Sequence, residues 1–152
     1  MSKQITIRKA LQVKKNLVGE VAQLRALIVK YNSQRTANKH IDLTKVHADY
    51  ADKSEKLIGL KTAITKANVG IYESIVRVEE IKGQIALYGS LDTSETDEVY
   101  DHKAEAMVSH PKTVHLNLTQ TNEKVATLKL ELETLLDKID HFNSNTTIEV
   151  EL

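Results

Sequence analysis

The stretch that decides how this chain is read is LTQTNEKVATLKLELETLLDKIDHFN, residues 118–143. Leu118, Val125, Leu132 and Ile139 recur every seven residues. Thr121, Leu128, Leu135 and Phe142 form a companion row three residues on. Two such rows are the seam of a helix that packs lengthwise on other helices, because side chains three, four and seven apart share one helical face.

The stretch closes on Ile139–Asn143, and the Ile-x-x-x-Asn pattern also occurs at Ile28–Asn32 and Ile64–Asn68. Each copy ends a helical stripe. Ile7, Ala10, Leu11, Leu17, Val18, Val21, Leu24, Ile28 and Tyr31 make the first, within about Ile5 to Gln34. Leu43, Val46, Tyr50, Leu57, Leu60, Ile64 and Ala67 make the second, with Asp42 placed to cap it. A shorter third stripe runs Ile71, Ile75, Val78, Ile81, Ile85 and Tyr88 and stops near Gly89. Asparagine tolerates the left-handed backbone conformation, so the three asparagines at 32, 68 and 143 are expected to act as helix stops. Between the third and fourth helices lies SLDTSETDEVYDHKAEAMVSHPK, which reads as a long irregular connection over 90–113.

Composition agrees with helices. Only 4% of residues are aromatic and there is one proline, which favours uninterrupted helices over a sheet sandwich. The expected fold is therefore all-α: one domain, 1–152, folded as an antiparallel four-helix bundle of long coiled-coil helices with a shorter third helix. The heptad seam is expected to continue its packing into a second copy, making a homo-oligomer.

Several functions are disfavoured. Lys+Arg and Asp+Glu number 21 each and are interleaved, so no global field draws in nucleic acid or an anionic membrane. With no cysteine there are no disulfides, thiolate metal sites or thiol nucleophiles. The N-terminus MSKQITIRKALQ lacks an apolar signal region, and no apolar run reaches the ~20 residues of a membrane helix, so a cytoplasmic location is expected. His110 and His115 lack a helical metal spacing, Gly59, Gly70, Gly83 and Gly89 stand alone, and no catalytic set can be assigned. No enzyme, metal or cofactor is expected.

In a four-helix bundle the short third helix would fall about 12 Å below its neighbours, leaving a trough. Its borders would be Arg25, Tyr31, Arg35, Lys53 and Asn122, with Tyr100 and His110 from the long connection. Arg25, Arg35 and Lys53 would neutralise phosphate, Tyr31, Tyr100 and His110 would stack or hydrogen-bond, and Asn122 would orient. The structural alternative is that Arg25 and Lys53 extend their heads to water or set the register of an oligomer.

The opening TIRKALQVKKNLVGEVAQLRALI, the segment LKTAITKANVGI and the closing VSHPKTVHLNLTQTNEKVATLKLELETLLDKIDHFNSNTTIEV resemble the septicolysin-like family of small helical bacterial proteins. The likeness covers nearly the whole chain and implies architecture rather than activity. The family name implies pore formation, to which this sequence lends little support because it lacks a membrane-active apolar face. In size and layout the chain is also similar to phage-encoded sponges of the Sequestin type, which sequester nucleotide-derived immune signals. Two functions are thus expected: a non-catalytic homo-oligomer binding a small anionic, ADP-ribose-like ligand, or a structural coiled-coil interaction module without one. Pore formation ranks third.

Overall fold

Residues 2–34 and 41–151 are described by a computed structural model of the chain. The tail TIEVE, Thr147–Glu151, alternates polar and apolar residues, which places Ile148 and Val150 on one face of an extended strand. This strand, β4, pairs antiparallel with β1 (Ser2–Thr6), from Ser2 opposite Glu151 to Thr6 opposite Thr147. The Ile7 amide continues the ladder by donating to the Thr146 carbonyl at 2.9 Å.

Thr6 then turns the chain into a helix. Its Oγ1 accepts from the Lys9 amide at 3.2 Å, satisfying one of the donors left free at a helix start. Helix α1 spans Ile7–Tyr31 and α2 spans Leu43–Ala67. At the start of α2, Asp42 Oδ1 accepts from Thr44 at 3.1 Å and Lys45 at 3.5 Å. The two helices lie antiparallel, the start of α1 against the end of α2.

At that end the sheet closes over the helices. Ile7 and Ala10, Leu60 and Ile64, and Ile148 and Val150 form one buried cluster, flanked by Val13, Leu17 and Phe142. Its apolar surface is the main stabilising term, at about 25 cal/mol per Å² removed from water. Beyond it the helix pair is thinly covered. No residue of α1 after Ala10, and none of α2 before Leu57, is buried.

These elements and the end of the fourth helix form one compact unit, Met1–Tyr72 with Ile139–Leu152; the other unit is Glu73–Lys138. After a 3-10 turn at Asn68–Ile71 comes α3 (Tyr72–Gly89), then strands β2 (Thr96–Asp101) and β3 (Ala106–Pro111), then α4 (Leu118–Asn145). A reciprocal cap starts α4: Asn117 Oδ1 accepts from the Gln120 amide at 2.9 Å, and Gln120 Oε1 accepts from the Asn117 amide at 3.0 Å. Arg77 pairs with Glu131, and Lys124 sits 5.4 Å from the Tyr88 ring centre, so α3 and α4 run antiparallel.

The expected all-α four-helix bundle is therefore corrected. The protein is a mixed α+β chain, mostly helical, whose described residues form two separate two-stranded antiparallel sheets. The 90–113 connection holds a β-hairpin. It is hard to see in sequence because both its faces are exposed, so no apolar–polar alternation marks it. The other sheet joins residues from opposite ends of the chain, a pairing that local patterns do not report.

The asparagine stops are corrected in part. Asn32 and Asn68 do cap α1 and α2, their backbone amides donating the last helical bonds to Ile28 and Ile64. Both, however, keep right-handed helical backbone, at φ −56° and −71°. Asn143 lies inside α4, which ends two residues later.

Candidate functional site

The residues expected to gather around a ligand are distributed over the two units. Arg25 and Tyr31 lie on α1 and Lys53 on α2, whereas Tyr100 is on β2, His110 on β3 and Asn122 on α4. Arg35 lies outside the described residues. The trough that was to unite them depended on the four-helix bundle and is withdrawn with it.

Within each unit the geometry is specific. Lys53 is half-buried on α2 and forms an ion pair with Glu20 of α1. The Glu20 carboxylate accepts its hydrogen bond and raises the Lys53 pKa above the ordinary lysine value. One turn on, Lys56 pairs with Asp52 at 3.0 Å. These four charges, with Val13, Asn16 and Leu17, line a depression of about 280 Å³ whose formal charge sums to zero. An anion entering it would have to displace a carboxylate. Tyr31 is half-buried and is covered by Lys30, whose Nζ lies 5.0 Å from the ring centre, while Arg25 is exposed.

The neighbouring depression, about 480 Å³, is lined by Asp52, Glu55, Lys56, Gly59, Glu149, Val150 and Glu151. Four carboxylates against one ammonium repel an anion.

In the other unit Tyr100 faces Met107 and His110 faces Asp97. Successive side chains on a strand alternate between faces, so Tyr100 and His110 project from opposite sides of the ribbon and cannot grip one ligand together. Tyr100 instead stacks edge-on against His102, with ring centres 5.1 Å apart and an interplanar angle of 81°. The base of the ribbon is clasped by Lys112, which pairs with Asp92 and donates to Ser94 Oγ at 2.9 Å. Lys112 and Ser94 together hold the Asp92 carboxyl well below the usual carboxylate range.

The groove between α3 and α4 contains residues that the sequence did not single out. About 510 Å³ in volume, it brings together Tyr88, Lys124, Gln84, Gln120, Glu123 and Thr127. Tyr88 reads in sequence as one more apolar position of the third stripe. Only the antiparallel packing of α3 on α4 sets a lysine against its ring.

The apolar faces of the α1–α2 pair are incompletely covered. Leu17, Val21, Leu24, Leu27 and Ile28 on α1, with Val46 and Tyr50 on α2, are half-buried, and Val18 and Val29 are exposed. Among the described residues, the buried Ser54 Oγ and Asn68 Oδ1 have no hydrogen-bond partner. Among the described residues no three His, Asp or Glu side chains are grouped to hold a metal, and no helix is long and apolar enough to cross a membrane.

Compared with protein-family models, with curated proteins and with solved structures, the chain finds no match in any of the three.

Proposed function

We propose that this protein is a non-catalytic homo-oligomeric interaction module, whose working surface is the incompletely covered apolar face of its helices. The observation that carries the reading is the open apolar face: Val21, Leu24, Leu27, Ile28, Val46 and Tyr50 are only half-buried and Val18 and Val29 are exposed, so their apolar surface stays in water unless another copy covers it. Charge does not oppose this association, because 21 basic residues balance 21 acidic ones and two copies carry no net repulsion.

Sedimentation velocity across a hundredfold concentration range tests the reading. A species at an integer multiple of 17.1 kDa at micromolar concentration is expected. A 17.1 kDa monomer at every concentration would sink the proposal.

A second reading, in which the module also holds a small anionic, nucleotide-like ligand, is favoured by the α3–α4 groove. There a ring, an ammonium and two side-chain amides face one space, beside the single carboxylate of Glu123. Thermal shift against nucleotides and ADP-ribose derivatives tests it. A ligand at a hundred times its Kd adds about 2.7 kcal/mol, and Lys124→Ala should abolish the shift. A flat panel removes this reading and leaves the first intact.

A further inference from the structure

The β2–β3 hairpin is exposed on both faces, with Val99, Tyr100 and Met107 all about half open to water. A two-stranded ribbon of this kind is marginal by itself and gains stability when strands are added. The question is which edge accepts one.

The hydrogen-bond pattern identifies the groups that face outward. The Lys112 amide donates to the Glu95 carbonyl at 2.8 Å, so these opposed residues are a hydrogen-bonded pair. In an antiparallel ladder such pairs alternate with non-bonded ones. Asp97/His110, Val99/Val108 and Asp101/Ala106 therefore exchange their bonds within the hairpin. Thr96/Pro111, Glu98/Ser109 and Tyr100/Met107 turn their backbone groups to the two free edges.

The edges differ in charge. Strand β2, TDEVYD, carries Asp97, Glu98 and Asp101, and charged side chains are a standard guard against edge pairing. Strand β3, AMVSHP, has no Asp, Glu, Lys or Arg. Both ends of the β3 edge are closed. Pro111 faces outward and has no amide hydrogen to offer. Glu105, at φ 48°, takes the chain out of the strand conformation. Met107 and Ser109 are left as the outward donors in the middle of an uncharged edge.

We infer that β3 pairs antiparallel with β3 of a second copy around a two-fold axis centred on Val108, joining two hairpins into a four-stranded sheet. This rests on the self-association proposed above and names one of its surfaces. In this register Met107 of each copy faces Ser109 of the other, and each pair exchanges two N–H···O bonds, so all four outward amides are used. Moving the two-fold axis by one residue either way, a register shift of two, sets an outward amide against Pro111 or Glu105. One face of the joined sheet then carries a row of four valines, Val99 and Val108 from each copy. The acidic β2 strands become the outer edges and block further strands. Growth through this sheet therefore stops at two copies instead of continuing into a fibre.

The absence of cysteine makes the test direct. Across the two-fold the Val108 Cα atoms form a non-hydrogen-bonded pair about 4.5 Å apart, within disulfide range. The full-length Val108→Cys protein should cross-link to a covalent dimer under mild oxidation, at least tenfold faster than Glu98→Cys on the guarded edge. Ser109→Pro removes an outward amide without touching a bond inside the hairpin. Added to Val108→Cys it should slow cross-linking at least tenfold, while the Val99 amide keeps its hydrogen-exchange protection. An oligomer by sedimentation whose Val108→Cys variant links no faster than Glu98→Cys would overturn the β3 pairing alone. A wild-type monomer at all concentrations would overturn both the pairing and the self-association reading.

Discussion

Leu60 and Leu24 offer the sharpest test of where this chain keeps its own core and where it waits for another. Leu60 is 1% exposed and sits in the cluster with Ile7, Ile64, Ile148 and Val150. Replacing it by alanine removes three buried carbons and leaves a cavity that the sheet above and helices beside it can only partly fill. The expected loss is about 3 kcal/mol, in the middle of the range for buried leucine. At about 2–4 °C per kcal/mol for a chain of this length, Tm should fall by about 6–12 °C. Because the contact is within one chain, the loss should be the same at low and high protein concentration. Leu24 is half-buried on the apolar face of α1, beyond the last buried residue of that helix. In a lone chain Leu24→Ala should cost about 1 kcal/mol, since much of the side chain is already in water. In an assembly that covers this face the cost should rise to about 2–3 kcal/mol and appear as weaker association. Thermal melts at two concentrations a hundredfold apart, with sedimentation on the same samples, separate the cases. A loss under about 1 kcal/mol for Leu60→Ala would refute the assigned core. An oligomer whose dissociation constant is untouched by Leu24→Ala would refute the helical interface.

Three further outcomes are expected. Thr6→Ala removes the acceptor for the Lys9 amide and should cost about 1 kcal/mol, with Thr6→Ser recovering most of it; urea melts monitored at 222 nm would check this. Gln120→Ala breaks one half of the reciprocal cap at the start of α4 and should raise the hydrogen-exchange rate of the first-turn amides of that helix while leaving those after Leu128 unchanged. The Asp92–Lys112 clasp should respond to acid with a definite sign. Because the folded Asp92 pKa is lowered, its contribution is complete above about pH 4, the unfolded value, and is lost as pH falls through the lowered value. Protection of the Lys112 amide should therefore decline only in strong acid, and Asp92→Asn should show reduced protection already at neutral pH with little further change on acidification.

The helices were legible in the sequence because their signals are local. Apolar residues three and four apart mark one face of a helix whatever lies beyond it, and the four stripes fall on α1 to α4. The helix ends at Asn32 and Asn68 are local as well, each backbone amide closing the last turn on Ile28 or Ile64. The Ile-x-x-x-Asn pattern at 139–143 lies inside α4, because the helical backbone bonds continue to Asn145 and the spacing alone cannot tell a last turn from a middle one.

What the tertiary structure decided is everything that joins distant residues. Ser2–Thr6 and Thr147–Glu151 pair across nearly the whole chain, and neither strand has a partner in its own neighbourhood to announce it. The β2–β3 ribbon carries polar residues on both faces, so burial, the usual author of strand periodicity, left no mark on its sequence. The grouping of the candidate ligand residues rested on the same missing information. Their convergence was derived from a bundle, but Lys53 meets Glu20, and Tyr100 and His110 stand on opposite faces of a ribbon. Local periodicity determines which segments become helices, since each turn is stabilised by its own backbone bonds and one buried stripe. Which stripes then meet depends on long-range contacts whose energies no short window of sequence contains.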